Sequence, residues 1–270
     1  MKDILTSSFI KEVSKTIDQM YRLGWDERNG GNLSYILSEE EVRDYLNVNK
    51  YNRVIDLYID ASFLSGKIFL VTGSGKYFKN VKENPESNLG IIQINPDGKT
   101  ANLLWGLIDG AKPTSELSTH LLSHIERLKI DPLHKVVIHT HATNLIAMTF
   151  IHSLDEKAYT KTLWKMNTEC IIVFPDGIGV IPWMICGNEE IGRETAKKFQ
   201  ESRLIIWAMH GVLGVGQSLD EAFGLIETAE KAAEIFFKIS NFPNRKEITD
   251  EQLEALSFAF AVKPKSNYLE

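Results

Sequence analysis

The chain has 270 residues and a mass of 30.6 kDa, with 43% of its residues hydrophobic and 24% charged. That length suits one large domain or two small ones, and the balance excludes disorder, a collagen-like repeat and a coiled coil. A net charge of −6 and a pI near 5.7 offer no basic field for a phosphate backbone, so no nucleic-acid partner is expected. No apolar run approaches the roughly eighteen residues that span a bilayer. Residues 1–10 also lack the basic start and apolar centre of a signal peptide. The expectation is a cytoplasmic protein with no membrane contact. Two cysteines, Cys170 and Cys186, are too few to staple a fold and are expected to be buried, reduced thiols.

Phe9, Ile10, Val13, Ile17, Met20 and Tyr21 recur at helical spacing, which predicts a helix over Ser8 to Leu23 that Gly24 stops. The polar turn Trp25-Asp26-Glu27-Arg28-Asn29-Gly30-Gly31-Asn32 then feeds a strand at 33–37. Residues 38–66 are charged and irregular and read as a solvent-facing insertion. Strands follow at 68–72, ahead of Gly73-Ser74-Gly75-Lys76, and at 90–95 and 101–107, joined by a Pro96-Asp97-Gly98 turn into a hairpin. A helix is expected from Pro113-Thr114-Ser115-Glu116 to about 128, because proline is tolerated in a first turn and a hydroxyl can cap it. The remaining elements are a strand at 136–141, a helix at 142–150, paired strands at 169–174 and 179–183, a helix at 187–200 and a strand at 204–209. Ser218-x-x-Glu221 caps a long helix and Thr249-x-x-Gln252 opens a short one. Hairpins mixed with helices, without regular β-α-β alternation, predict an α/β fold of the α+β type. Its central sheet is expected to be largely antiparallel and flanked by helices on both faces. With no linker, repeat or low-complexity tract, residues 1–270 form a single expected domain carrying the insertion around 38–66.

The sharpest chemical feature is Val136-Val137-Ile138-His139-Thr140-His141. Strand residues two apart face one side, so His139 and His141 either grip one metal ion or hydrogen-bond at a sheet edge. His210 leaves another apolar strand just before Gly211, and three imidazoles with an open fourth position are a catalytic arrangement. His120 and His124 form a second pair on the helix, but Leu121 stands where the H-E-x-x-H signature needs its glutamate, so a zinc-protease helix is excluded. Glu116, one turn earlier, is either an acid–base carboxylate beside a metal or a capping glutamate.

Gly73-Ser74-Gly75-Lys76 follows a strand and is suited to wrap a phosphate with backbone N–H groups. It is not a P-loop, since Leu70 and Tyr77 occupy two of its fixed positions, and residues 211–216 miss the dinucleotide spacing. Asn29-Gly30-Gly31-Asn32 and Thr114-Ser115 add amide and hydroxyl donors. Together these segments point to a small phosphorylated substrate. No nucleophile elbow or activated cysteine is present, so covalent catalysis is not expected.

Five segments, Asn29 to Ser34, Thr72 to Lys76, Pro113 to Glu116, His139 to Ala142 and His210-Gly211, occur in an order that resembles the zinc-dependent class II sugar-phosphate aldolases, which share their fold with pentulose-phosphate 4-epimerases. Gly24 to Arg28, the 38–66 insertion, Phe174 to Gly177 and Pro182 to Met184 are closer to the rhamnulose-phosphate branch than to the shorter fuculose-phosphate aldolases. The resemblance implies one Zn2+ per subunit on His139, His141 and His210, with Glu116 as acid/base. It implies a phosphate site of Asn29, Asn32, Ser74, Gly75, Thr114 and Ser115. Glu169 matches a position that reaches a neighbouring subunit's site in a four-fold homotetramer. The implied reaction is reversible retro-aldol cleavage of a ketose 1-phosphate, rhamnulose 1-phosphate, to dihydroxyacetone phosphate and L-lactaldehyde. A fuculose-phosphate-type aldolase and a 4-epimerase are the alternatives.

Overall fold

The central strand segments Ile68-Phe69-Leu70-Val71-Thr72 and Val136-Val137-Ile138-His139-Thr140 are buried at every position. Such continuous runs form strands covered on both faces, where β-branched and aliphatic side chains pack on the pleat. In the computed structural model, which describes residues 1–269, the strands are β1 (Asn32–Leu37), β2 (Arg53–Asp56), β3 (Ile68–Thr72), β4 (Leu89–Ile94), β5 (Thr100–Gly106), β6 (Val136–Thr140), β7 (Ile178–Ile181), β8 (Leu204–Trp207) and β9 (Gly211–Gly216). They form one nine-stranded sheet in the order β2-β5-β4-β3-β1-β6-β9-β8-β7. Only β7 and β8 pair in parallel; the other pairings are antiparallel. The helices are α1 (Ser8–Arg22), α2 (Glu39–Val42), α3 (Pro85–Asn88), α4 (Leu117–Ile130), α5 (Thr143–Ile151), α6 (Glu156–Met166), α7 (Glu169–Val173), α8 (Glu189–Phe199), α9 (Leu219–Ile239) and α10 (Asp250–Ala259).

Alternation along each strand sorts the core into two layers. Leu33, Leu70, Ile138 and Val212 meet α1, α5, α6 and α9 on one face. On the other, Phe69, Val71 and Ile92 pack with Leu121 and Ile125 of α4, while Val137, Leu213 and Trp207 pack with Ile191 and Phe199 of α8. The sheet is therefore largely antiparallel with helices on both faces. Gly214 and Gly216 let α9 lie directly on β9. A Cβ at Gly214 would stand 2.7 Å from the Ala222 carbonyl oxygen, and one at Gly216 would stand 2.6 Å from the Ala222 nitrogen. Among the described residues no helix is long and apolar enough to cross a membrane.

Several expectations are corrected. Residues 169–174 are not a strand paired with 179–183: Glu169–Val173 is the helix α7. An apolar run this short fits either period, and here the ends decide. Cys170 N bonds back to the Asn167 carbonyl at 3.1 Å, and the Trp164 indole donates to the Phe174 carbonyl at 3.2 Å, closing the segment as a turn of helix. β7 pairs instead with β8. Strands β2 and β9 and helix α6 lie where no element was expected, β9 because its three glycines mask its strand character. The helix expected from Pro113 begins at Leu117, with Glu116 as its N-cap residue. Cys170 is buried as expected, whereas Cys186 is exposed, on the loop between β7 and α8. The insertion is not wholly irregular, since β2 within it completes one edge of the sheet against β5.

Leu33 is fully buried in β1, the strand at the centre of this sheet. Leu33→Ala is expected to lower unfolding free energy by about 3 kcal/mol, read as a lower urea midpoint with unchanged slope.

Candidate active site

His139 ends β6 on the face that looks toward α4, and Asn32 pairs with it across β1. Its Nδ1 lies 3.1 Å from the Val212 carbonyl oxygen of β9. A carbonyl only accepts, so Nδ1 carries the proton and Nε2 presents a bare lone pair. That Nε2 is buried and has no hydrogen-bond partner. His141 follows the strand, and its Nδ1 donates to the Glu27 carboxylate, 3.0 Å from Oε2, leaving its Nε2 bare as well. His210 arrives from the turn after β8, where Met209 adopts φ +62° and its backbone N–H bonds Thr149 Oγ1 at 2.9 Å. This left-handed residue turns the chain sharply enough to aim the imidazole back at β6.

The three rings converge. Their centroids are 5.3 Å apart for His139 and His141, 5.1 Å for His139 and His210, and 5.3 Å for His141 and His210. One ring nitrogen from each lies within 4.8 Å of the others. Trp207 packs beside His139 and His210 at 4.8 and 5.0 Å and holds the pair from the sheet side. Backbone is packed tightly around them. A Cβ at Gly30 would meet His141 Nδ1 at 2.9 Å, and one at Gly211 would meet His139 Cε1 at 2.7 Å. Burial pushes the His139 imidazole well below its usual range and lowers His210 to about 4, so both rings are neutral at physiological pH. Neutral, bare nitrogens are the form that ligates a metal. The donor set fits a divalent cation.

Glu116 stands beside this trio, 3.7 Å from His139 Nε2. Its carboxylate caps no helical N–H; it accepts from Asn32 Nδ2 at 2.8 Å instead. Burial raises its pKa, against the opposing pull of the Asn32 hydrogen bond and His141. Cys186, Glu116 and His210 also offer atoms within 4.8 Å of one another, which puts the exposed thiol at the mouth of the site.

The phosphate candidates are only partly brought together. Gly73 and Ser74 pair with the Lys112–Thr114 segment, Ser74 N bonding the Lys112 carbonyl and Thr114 N the Thr72 carbonyl at 2.8 and 2.9 Å. Ser74, Thr114 and Ser115 consequently line one cavity of about 450 Å³, whose opposite wall is Arg53 to Tyr58 of the insertion. Gly75 takes φ +68° in the same loop. Asn29 is exposed beyond the trio, and the Asn32 amide is engaged by Glu116 and His120. Glu169 is exposed at the start of α7, where its side chain meets none of the residues above.

Sequence reasoning missed three participants. Glu27 orients His141, as described. Asp26 is buried, accepts from Thr140 Oγ1 at 2.9 Å, and is pushed by burial to about 8. Ser34 bonds His120 and His124 at 2.7 and 2.8 Å. The spacing of His120 and His124 behind Glu116 was the one available signal, but their partners lie on a strand more than eighty residues away.

With this geometry in place, the comparisons agree. Residues 11–237 match the model of the class II aldolase and adducin N-terminal domain. The chain belongs to the class II aldolase family and is an enzyme of that metal-dependent, carbon–carbon-cleaving class. It is 57% identical to the rhamnulose-1-phosphate aldolase of Listeria innocua over 99% of this chain and 98% of that one. The corresponding figures for the rhamnulose-1-phosphate aldolase of Enterococcus faecalis are 53%, 99% and 96%. Among solved structures, a sugar-phosphate aldolase from Thermotoga maritima superposes with a TM-score of 0.75 at 28% identity, covering 87% of this chain and 96% of that one.

His120 is fully buried with its pKa lowered to about 3, and His124 is likewise held well below 6.5. The unfolded chain therefore takes up these protons first, and stability present above pH 6.5 is lost as the pH falls toward 3. Melting temperatures measured across that window should decline, and His124→Gln should shallow the decline. A level profile in the parent protein contradicts neutral burial.

Proposed function

We propose that this chain is a zinc-dependent aldolase that reversibly cleaves rhamnulose 1-phosphate to dihydroxyacetone phosphate and L-lactaldehyde. The observation that carries the reading is the buried, unpartnered His139 Nε2 facing two further imidazoles with Glu116 beside it. His139, His141 and His210 would hold the ion, three imidazoles being a donor set that suits zinc. When bound, the ion supplies Lewis acidity toward the sugar oxygens and the negative charge that develops on cleavage.

The chain's own groups do the rest. In the cleavage direction the electron pair of the C3–C4 bond stays with C3, Glu116 supplies the proton that C3 gains, and the O4 hydroxyl proton passes to solvent as the aldehyde forms, solvent returning one proton to Glu116 to close the cycle. In the synthesis direction Glu116 removes the C3 proton. A carboxyl whose pKa burial has raised holds its proton more readily than an exposed one, which suits a group that must both give and take a proton. Ser74, Gly75, Thr114 and Ser115, with Asn29 and Asn32, would anchor the phosphate and hold C3 within reach of Glu116, so remote binding serves orientation. The insertion around 38–66 forms the wall of that cavity, within one aldolase domain spanning the chain. Glu169, exposed on its own subunit, would reach a neighbour's site in a homotetramer. A cytoplasmic location suits the phosphorylated substrate.

Chelation is expected to abolish triose-phosphate release and zinc to restore it; full activity after exhaustive metal removal sinks the reading. Glu116→Gln should keep the metal, measured by elemental analysis, while losing at least about a hundredfold in turnover. His141→Ala should lose metal and activity together. Release of free aldehyde separates cleavage from epimerisation, which retains it.

A further inference from the structure

Glu116, His120 and His124 recur every fourth residue and share one stripe of α4, while Asn32 and Ser34 share one face of β1. Four helical residues advance about 6 Å and two strand residues about 6.7 Å, so two such rows interleave along their length. Glu116 Oε2 meets Asn32 Nδ2 at 2.8 Å, Asn32 Oδ1 meets His120 Nε2, His120 Nδ1 meets Ser34 Oγ at 2.7 Å, and Ser34 Oγ meets His124 Nε2 at 2.8 Å. All five side chains are buried. His124 Nδ1 ends the chain without a partner.

Donor chemistry sets the direction of every link. A carboxylate accepts, so the Asn32 amide turns its NH2 to Glu116 and its oxygen to His120. That oxygen accepts too, so His120 carries its proton on Nε2 and leaves Nδ1 bare. Nδ1 then accepts a hydrogen bond from the Ser34 hydroxyl, and the Ser34 oxygen accepts from Nε2–H of His124. The one nitrogen left over, His124 Nδ1, is a lone pair rather than a stranded N–H. Four donors thus point in one sense, toward Glu116.

We propose that His120, Ser34 and His124 are positioning residues for the acid–base carboxylate. They lock the Asn32 amide with its NH2 toward Glu116, which fixes one carboxylate oxygen and leaves the other for the reacting carbon. When Glu116 is protonated its carboxyl no longer dictates the sense of the amide, so an Asn32 held only from that side would be free to flip and turn its oxygen toward Glu116. The proposal rests on the acid–base role of Glu116 and adds residues outside the metal and phosphate sets.

Neutron diffraction from deuterium-exchanged crystals of the zinc-loaded enzyme tests it directly. Deuterons are expected on Nε2 of His120 and His124 and on Ser34 Oγ along the bond to His120, with both Nδ1 atoms bare. A deuteron on Nδ1 of either histidine overturns the proposal. These positions do not depend on turnover, so an error about Glu116 would surface in the Glu116→Gln assay and not here. Kinetics supply a second readout. His124→Leu removes the terminal donor, whereas His124→Gln keeps an amide N–H where Nε2 stood. A kcat loss of about tenfold is expected for the leucine variant, with KM within about twofold, unchanged metal content and substantial recovery in the glutamine variant. Ser34→Ala, a smaller change in volume, should show the same kcat loss. Equal losses in both His124 variants, or a loss carried by KM, overturn the proposal.

Discussion

A ring nitrogen without a partner is the constraint around which this protein is organised. His139 is buried, its Nδ1 is committed to the Val212 carbonyl, and its Nε2 bonds no protein atom. Leaving such a group dry inside a fold is unfavourable unless something outside the chain completes it. His141 and His210 are drawn to the same point by separate devices, a carboxylate partner for one and a left-handed residue for the other. The fold supplies three donors from two antiparallel neighbours, β6 and the turn into β9, because adjacency there lets their ends meet.

Helix α4 brings the second half of the chemistry from the opposite layer. Its N-cap residue, Glu116, follows the Pro113-Thr114-Ser115 turn, whose Thr114 and Ser115 line the neighbouring cavity. One turn therefore divides its residues between phosphate-binding candidates, Thr114 and Ser115, and the carboxylate proposed as acid and base, Glu116, which directly follows Ser115. In the proposed reaction that adjacency would let binding at one end of a sugar phosphate align a carbon at the other.

Electrostatics follow burial throughout. The imidazoles of His139 and His210 are kept neutral and the pKa of the Glu116 carboxyl is raised, each shift having desolvation as its largest cause. Asn32 moderates that effect at Glu116, and the rows of α4 and β1 are matched closely enough in spacing to extend the network to His124.

Local pattern was enough to single out the candidate residues that the fold brings together. Alternation in Val136 to His141 placed two imidazoles on one side, the apolar strand ending at His210 offered a third, and Glu116 sat at a helix start. It was also enough for the antiparallel character of the sheet, through its hairpin turn. It failed at 169–174, where a short apolar run satisfies both periods, and at β9, whose glycines serve a helix that sits against it. The expected burial of Cys186 also failed, because nothing near it in the chain says whether a loop lies inward or outward. Nor could the alignment of α4 with β1 be read, since hydrogen bonds between residues 32 and 120 or 34 and 124 leave no local trace. Sequence determined which groups are candidates for chemistry, since periodicity and turn chemistry act between near neighbours. Tertiary structure alone decided which of those groups meet and which proton each carries, because both depend on contacts between distant parts of the chain and on the water excluded around them.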